Sequence, residues 1–534
     1  MITKSISDYT ISISRIIKKA EDKYKKLLKN LLRFLNLAAF LFLIYHISLL
    51  AISNFNVDVF DGSLRLIAHQ YTKLGEIPYR DFGVVYPPGY FIILGKIIAF
   101  NAIYLKGFVQ SFLLIIYLIV IVNGIKSLSK NYSLSYPILF ITVSIIIFIF
   151  NYGDPLSILY ILVVTVLSLN YINTGRKNLL KILFVFSFTN VWFRWDWPIT
   201  IITLYCIVLF VLTGLEKRKI LTINKKSLRK FGHAILTTSM GAFSGFALMG
   251  FYLWNQGVLK NAIDFFVVIP TKVIGPYRRL PIPAFKIRPL INLLPYIALS
   301  LLFVISFLSL LELRKTKKNG LLSKIILLST SFVLLPYALG RSGIFHFIPL
   351  WFLSICILAI YNQLYFKSKI VVLLLLLTTF PFFTIYKNNL KLLSPKFNRL
   401  DDGIKHTISN CFSKVEDINP STIFLGRISY DKYLYNNVIL YFTKPNASPA
   451  SSYISDEPGL QSSCKYGGII SDQLNKAEKP MLAFLETGYQ PAEMNMTATM
   501  KSCGMIEKFL KNNTYQFIDK CYVENFEFEI RVYE

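Results

Sequence analysis

DVFDGSLRLIAHQYTKLGEIPYRDFGVVYPPGY, residues 58–90, is polar and acid-bearing, yet it lies between long apolar runs. A segment that merely joined two helices could be a few residues long. This one carries Asp61, Glu76, Arg80 and Asp81, and then Tyr86-Pro87-Pro88, where two prolines fix backbone angles. Such a stretch looks built to hold side chains in place at the border of a hydrophobic layer.

Working outward, the chain has 534 residues, of which 54% are hydrophobic and 16% charged. That balance is too apolar for an ordinary soluble protein. Spanning helices need roughly 20 mostly apolar residues, and about eleven runs meet that measure. They centre near 32–53, 107–125, 134–150, 156–172, 182–196, 197–214, 234–254, 290–311, 325–340, 345–364 and 369–386. The expected fold is a multi-pass α-helical membrane protein.

The formal charge of +29 would suggest nucleic acid in a soluble protein. Here the basic residues cluster between alternate apolar runs: Lys18 to Lys29, Arg176 with Lys177, Lys217 to Lys230, Arg314 to Lys318, and Lys367 with Lys369. They read as cytoplasmic topology signals, and no nucleic-acid partner is expected. The segments 54–106, 151–155, 255–289 and 341–345 then face outward, as does the chain after about residue 387. Residues 1–31 are basic and amphipathic and lack the apolar core and small-residue cleavage site of a signal peptide.

Hydropathy falls near Tyr386. Beyond it, short strand-like runs (STIFLG at 421–426, MLAFLE at 481–486, the closing FEFEIRVYE) alternate with helical ones (YDKYLYNNVILYF at 430–442, MIEKFLKN at 505–512). That pattern predicts a small extracytoplasmic α/β domain. The domain division is therefore 1–31, 32–386 and 387–534. Cys206 and Cys356 fall in apolar runs and read as small apolar residues. Cys411, Cys464, Cys503 and Cys521 lie in the outward tail, where disulfides with three possible pairings are expected. No close-spaced Cys or His pairs suggest zinc. Asn446, Asn495 and Asn512 open glycosylation sequons, which in so Asn-rich a chain carry little weight.

Under this threading the chemically capable residues converge on the outer face from distant positions. They are Asp61, Asp154 in NYGDP, Arg194 and Asp196 in FRWDWP, Arg278 and Arg279 in YRRLPIP, and Arg341 and His346 in GRSGIFHF. A carboxylate can take a proton from an attacking hydroxyl, a second can orient it or hold a divalent ion, and arginines can bind a departing phosphate. Duller readings stand beside these. Asp61 fits a solvated loop, and Asp154, before a proline, fits a helix N-cap. Asp196 fits an interfacial pair with Arg194 among belt tryptophans. Arg278 and Arg279 fit lipid headgroup contacts, and His346 fits an interfacial histidine.

FDGSLRLIAHQYTKLGEIPYRDFGVVYPPGYF resembles the first outer loop of the GT-C glycosyltransferase superfamily, in the prokaryotic branch related to protein mannosyltransferases and aminoarabinose transferases. That loop carries an acid near the end of the first span, a helix, G-x-x-PYRDF, and a PPG helix against the membrane. GDP at 153–155, FRWDWP, RRLPIP, GRSGIFHF and, in the tail, SSYISDEPGL, IISDQL and KPMLAFLE are similar to family segments in the same order. The resemblance implies a polyprenyl-phosphate sugar donor, transfer to an acceptor hydroxyl with inversion, and Asp61 as general base, with Asp154 the second catalytic acid. Arg278, Arg279 and Arg341 are then candidates for the donor phosphate. Arg80, Asp81, Tyr86, Arg194, Asp196 and His346 are candidates for positioning donor or acceptor. A divalent cation, Mg or Mn, at Asp61 and Asp154 is optional, since the superfamily differs on metal dependence. The acceptor is a glycan, lipid or protein. A transporter and a surface-polysaccharide polymerase or ligase are the competing readings.

Overall fold

The computed structural model describes residues 30, 34, 37–45, 67–68, 70–84, 86–92, 112, 114–125, 155–219, 223–274, 294–313, 321–340, 344–361, 400–428, 438–454, 460–488, 502–523 and 526–534. A one-turn helix α1 (Gly89–Ile92) follows the two prolines of the opening segment. Then come α2 (Pro155–Thr174), α3 (Asn178–Phe193), α4 (Asp196–Lys217) and α5 (Lys225–Asn255). Pro155 opens α2, where its missing N–H costs nothing, and Gly175, at φ +74°, closes it. Asn224 caps α5 by accepting from the Lys226 and Ser227 amides.

The apolar character of these helices has two different origins. Along α2 every side chain from Leu159 to Ile172 is buried, so this helix is hydrophobic all round because it is the centre of the bundle. Its polar groups are met internally: Asn170 Nδ2 donates to the Gly124 carbonyl at 2.9 Å. In α4 and α5, only 28% and 39% of the most apolar windows are buried, and Phe210, Phe243 and Phe251 point outward.

Helices α3 and α5 run parallel and touch backbone to backbone. A Cβ on Gly241 would lie 2.4 Å from the Phe184 carbonyl oxygen, and one on Gly245 would lie 2.7 Å from that of Phe188. Two glycines four residues apart thus set the separation of the two axes.

The bundle continues through α6 (Leu259–Ile263), a π-helix (Asp264–Ile274), α7 (Leu294–Leu313), α8 (Leu321–Ser331), α9 (Leu335–Gly340) and α10 (Ile344–Tyr361). The expectation of about eleven spans is overturned. Among the described residues, two helices, α4 and α5, are long and apolar enough to cross a membrane, and the other apolar helical stretches run to 10–17 residues. The reasons are local. Helix α3, at 16 residues, rises about 24 Å, short of a hydrocarbon core of about 30 Å. The run 325–340 breaks at the turn 332–334 into α8 and α9. Apolar content alone does not separate a buried central helix such as α2 from one facing lipid. The runs 134–150 and 369–386 lie outside the described residues.

The last part of the chain is built differently. Helices α11 (Leu400–Thr407) and α12 (Ser409–Val415) precede β1 (Thr422–Arg427), a 3-10 turn (Val438–Thr443) and β2 (Ser448–Pro449). Then follow α13 (Cys464–Lys476), β3 (Met481–Gly488), α14 (Met505–Asn512), β4 (Tyr515–Val523) and β5 (Phe526–Tyr533). The sheet order is β2-β1-β3-β5-β4. Strands β2, β1 and β3 are parallel, and the β4–β5 hairpin closes the sheet antiparallel to β3. Strand β1 is buried along its whole length, as a central parallel strand requires. Cys411 is bonded to Cys521 and Cys464 to Cys503, which selects one of the three pairings. The first bond pins α12 over β4, and the second joins the starts of α13 and α14. Cys206 and Cys356 are free thiols.

Candidate functional site

The two ends of the helix bundle differ in kind. At one end the turns between α2 and α3 and between α4 and α5 carry Arg176, Lys177, Lys217, Arg218, Lys225 and Lys226, and Lys230 Nζ donates to the Ile172 carbonyl at 3.0 Å. At the other end lie Trp192, Trp195, Trp197 and Trp254, with Trp192 against Tyr252 at 6.3 Å between ring centroids. The segment 70–92 docks on the tryptophan end, where a Cβ on Gly89 would sit 2.3 Å from the Trp192 carbonyl oxygen.

Residues 75–84 fold as a tight turn held by Asp81. Its Oδ2 accepts from the Ile77 amide at 2.7 Å, while the Asp81 amide donates back to the Ile77 carbonyl at 3.0 Å. Arg80 grips the same carboxylate with Nε and Nη2 at 2.7 and 2.8 Å. Partial burial pushes the Asp81 carboxyl up, but its bonds from Arg80 and the Ile77 amide outweigh this and hold it below the usual carboxylate range. Glu76 behaves oppositely: burial, then the hydrogen bond and like charge of Asp81, raise it. The two neighbouring acids are thereby pushed apart in proton affinity.

The turn places Tyr79 at φ +69°, a region bulky side chains avoid unless their surroundings fix them. What fixes it is visible. Its hydroxyl donates to the Tyr86 carbonyl at 2.6 Å, its carbonyl accepts from Asn261 Nδ2 at 3.1 Å, and its ring packs edge-on to Phe266 at 4.9 Å. The Phe265 ring covers Gly83, so closely that no Cβ fits there.

This aromatic core is shared with the α/β unit. Tyr71 meets Tyr441 at 5.8 Å, Phe265 meets Tyr453 at 5.1 Å, and the Gly83 amide donates to the Ser452 carbonyl at 2.6 Å. Asp264, the first residue of the π-helix, accepts from the Tyr466 hydroxyl at 2.9 Å and lies 3.6 Å from Lys465 Nζ. Burial and the Asp264 carboxylate raise Tyr466, which keeps its proton in that bond. Ser448 reaches Glu76 at 3.4 Å. Segment 70–84, the π-helix and the α/β unit therefore meet at one junction above the tryptophan end.

Of the residues singled out by sequence, Arg80, Asp81 and Tyr86 belong to this junction, with Asp81 as turn staple and Tyr86 as the acceptor for Tyr79. Arg194 and Asp196 bind each other, Nε–Oδ1 at 3.0 Å and Nη2–Oδ2 at 2.8 Å, in the turn between α3 and α4. The Arg194 guanidinium also lies 5.0 Å from the Trp197 ring centroid, so the two residues are paired with each other, as one reading of the sequence has it. His346 stands near the start of α10. Asp61, Asp154, Arg278, Arg279 and Arg341 lie outside the described residues. Asp154 adjoins Pro155, the end of α2 that reaches the tryptophan side. Among the described residues no group of three His, Cys, Asp or Glu side chains is arranged to hold a metal ion. Sequence reasoning missed Asp264, Asn261, Ser452 and Tyr466. An acid opening the apolar stretch DFFVVIP was the one available signal for the first. Comparison of the chain with family models, curated proteins and solved structures returned no match.

Proposed function

We propose that this protein is a membrane-bound glycosyltransferase that moves a sugar from a polyprenyl-phosphate donor to an acceptor hydroxyl at the tryptophan end of the bundle. The observation that carries the reading is the junction itself. The segment that resembles the GT-C first loop is wedged between the tryptophan end of the helices and the α/β unit, so it is part of a packed junction and not a tether. The outward apolar faces of α4 and α5 and the contrast between a basic and a tryptophan-rich end support membrane residence.

In the proposed step, the acceptor oxygen bonds to the sugar's anomeric carbon as the bond to the phosphate oxygen breaks, with inversion. Asp61 takes the acceptor's proton. The negative charge that develops on the departing polyprenyl phosphate is met by Arg278, Arg279 and Arg341, whose guanidinium forks suit phosphate oxygens. Asp154 orients the acceptor. Arg194 and Asp196, already committed to each other, shape the turn between α3 and α4, and Asp81 and Arg80 set the conformation of the loop that bears Tyr79.

The test is sugar transfer from radiolabelled polyprenyl-phosphate hexoses by purified protein in detergent, with wild type and Asp61→Asn, and with and without chelator. Donor turnover that disappears in Asp61→Asn at unchanged melting temperature supports the reading, and the chelator decides whether a metal takes part. Absence of both donor turnover and donor binding across a panel of lipid-linked hexoses overturns it.

A further inference from the structure

The end of the bundle opposite the tryptophans carries charge that the fold leaves unanswered. Arg176, Lys177 and Lys181 stand around the start of α3, Lys217, Arg218 and Lys219 around the end of α4, and Lys225, Lys226 and Arg229 in the first turns of α5, all of them exposed. None of these side chains forms an ion pair among the described residues, and Glu216 is the one acid in the stretches 173–181 and 215–230. The three groups make one surface. Lys230 of α5 donates to the Ile172 carbonyl at the end of α2, and its Nζ lies 3.1 Å from where a Cβ on Gly175 would stand.

Folding does not account for this pattern. Lys225 with Arg229 and Lys226 with Lys230 are like charges four residues apart, an arrangement that weakens a helix. A topology signal is read during insertion and leaves the same charges in place afterwards, still facing outward. A second observation sets apolar surface beside the charge. On each of the three helices exposed apolar side chains begin within about 6–11 Å of the cations along the axis: Val185 on α3, Phe210 and Val211 on α4, Leu236 and Met240 on α5. A molecule lying here meets cations at its head and hydrocarbon along its tail.

We propose that this end is a docking surface for anionic phospholipid, an inference that rests on the membrane residence argued above and adds a partner to it. The guanidinium and ammonium groups hold the headgroup, whose net negative charge they match, and the acyl chains lie along the apolar faces of α4 and α5. A phosphatidylcholine headgroup balances its own phosphate with choline and gains little there.

The experiment counts the lipid retained by full-length protein purified from micelles of neutral detergent mixed with equal amounts of phosphatidylcholine and phosphatidylglycerol. Wild type is compared with a patch variant (Arg176→Gln, Lys177→Gln, Lys226→Gln) and with a control that loses the same charge from α13 and α14 (Lys476→Gln, Lys508→Gln, Lys511→Gln), each checked by its melting temperature. Phosphatidylglycerol is expected to exceed phosphatidylcholine on wild type and control, and its affinity should fall roughly tenfold or more in the patch variant and in high salt. Hydrogen exchange in peptides covering 173–182 and 215–230 should slow with phosphatidylglycerol and not with glycerol 3-phosphate, which separates a lipid from a free phosphate. Should the patch variant fail to fold, Lys217→Gln, Arg218→Gln, Lys219→Gln takes its place with the same expectations. Equal retention of the two lipids, equal loss in patch and control variants, or equal protection by glycerol 3-phosphate overturns the surface. Asp61-dependent donor turnover with no preference for phosphatidylglycerol overturns this inference and leaves the transferase reading standing. A preference that the patch variant loses, without any donor turnover, does the reverse. Protein that stays dispersed without detergent and retains neither lipid overturns membrane residence and this surface with it.

Discussion

The helix bundle and the α/β unit bury similar apolar side chains but differ in where their polar side chains find partners. In the bundle, Thr165 donates to Ile161, Thr238 to Ala234, Thr330 to Ile326 and Ser354 to Leu350, each to the carbonyl four residues earlier, while Thr165, Tyr205 and Thr330 also meet in one buried hydroxyl cluster between α2, α4 and α8. In the α/β unit, polar side chains link separate elements. Lys414 of α12 pairs with Asp519 of β4, Thr422 of β1 donates to the Glu478 carbonyl, and Ser451 donates to Gln473 of α13. A helix that satisfies its own polar groups can sit where no water competes, whereas links between elements suit a unit bathed in water. The bundle therefore relies on close shape with a few buried polar contacts between helices, and the α/β unit adds covalent ties.

The largest break in this comparison is expected from reduction of the disulfides. They close loops with sequence separations of 110 and 39 residues. Chain entropy assigns each about 4–5 kcal/mol. Dithiothreitol should open the α/β unit to proteolysis after residue 400 while the helical circular dichroism signal stays. A coincident loss of helix would show that the two regions do not stand independently.

Gly241→Ala is the mirror experiment. Its Cβ would press on the Phe184 backbone, which cannot give way as a side chain does, and a cost of roughly 1–3 kcal/mol is expected. The melting temperature in detergent should fall, with hydrogen exchange rising in α3 and α5 and unchanged in β1 and β3. At the border, Gly83→Ala meets the Phe265 ring and should cost about 1–3 kcal/mol in the docking of the junction. Faster exchange at residues 70–84 and 448–454, with both interiors unaffected, is the expected readout.

The smallest effect is electrostatic and belongs to the α/β surface. Hydrogen bonds from Lys520, Thr487 and Tyr522 hold Glu527 at about 2, and Lys414 lowers Asp519. Both acids are depressed on folding, so their contribution is present above the ordinary carboxylate value and is lost as pH falls toward 2. Melting of the α/β unit should drop modestly across that window, and added salt should flatten the slope. A steep, salt-insensitive drop would refute the assignment to these exposed pairs.

Much of the α/β unit was legible in advance. STIFLG became β1, MLAFLE lies in β3, MIEKFLKN became α14 and FEFEIRVYE closes as β5, because alternation and helical spacing record which face is buried. Strand β4 was missed: YQFIDKCYV alternates poorly, since its register slips between Phe517 and Asp519. Cysteine pairing was illegible because spacing alone does not encode it. In the bundle, hydropathy reported how apolar each run is but not what it faces, and the span count failed for that reason. In the polar run 58–90, Asp81 and Tyr86 hold the turn around Tyr79 together. Its counterpart across the junction was hidden, because the bond between Asp264 and Tyr466 joins residues 202 apart, a pairing that no local pattern announces.

The glycine contact between α3 and α5 also acts as a ruler. With backbones touching at Gly241 and Gly245, the two helices cannot slide by a single residue without driving a side chain into a carbonyl. Their relative height is thus fixed, because a slide by a whole turn of about 5.4 Å would bring Thr237 or Met249, each with a Cβ, to one of the two contacts. Trp192, near the top of α3, supports Gly89, so the height of the prolines above the bundle is set by counting residues from those two glycines. One residue inserted in α5 after Gly245 would turn Tyr252 by about 100° away from Trp192.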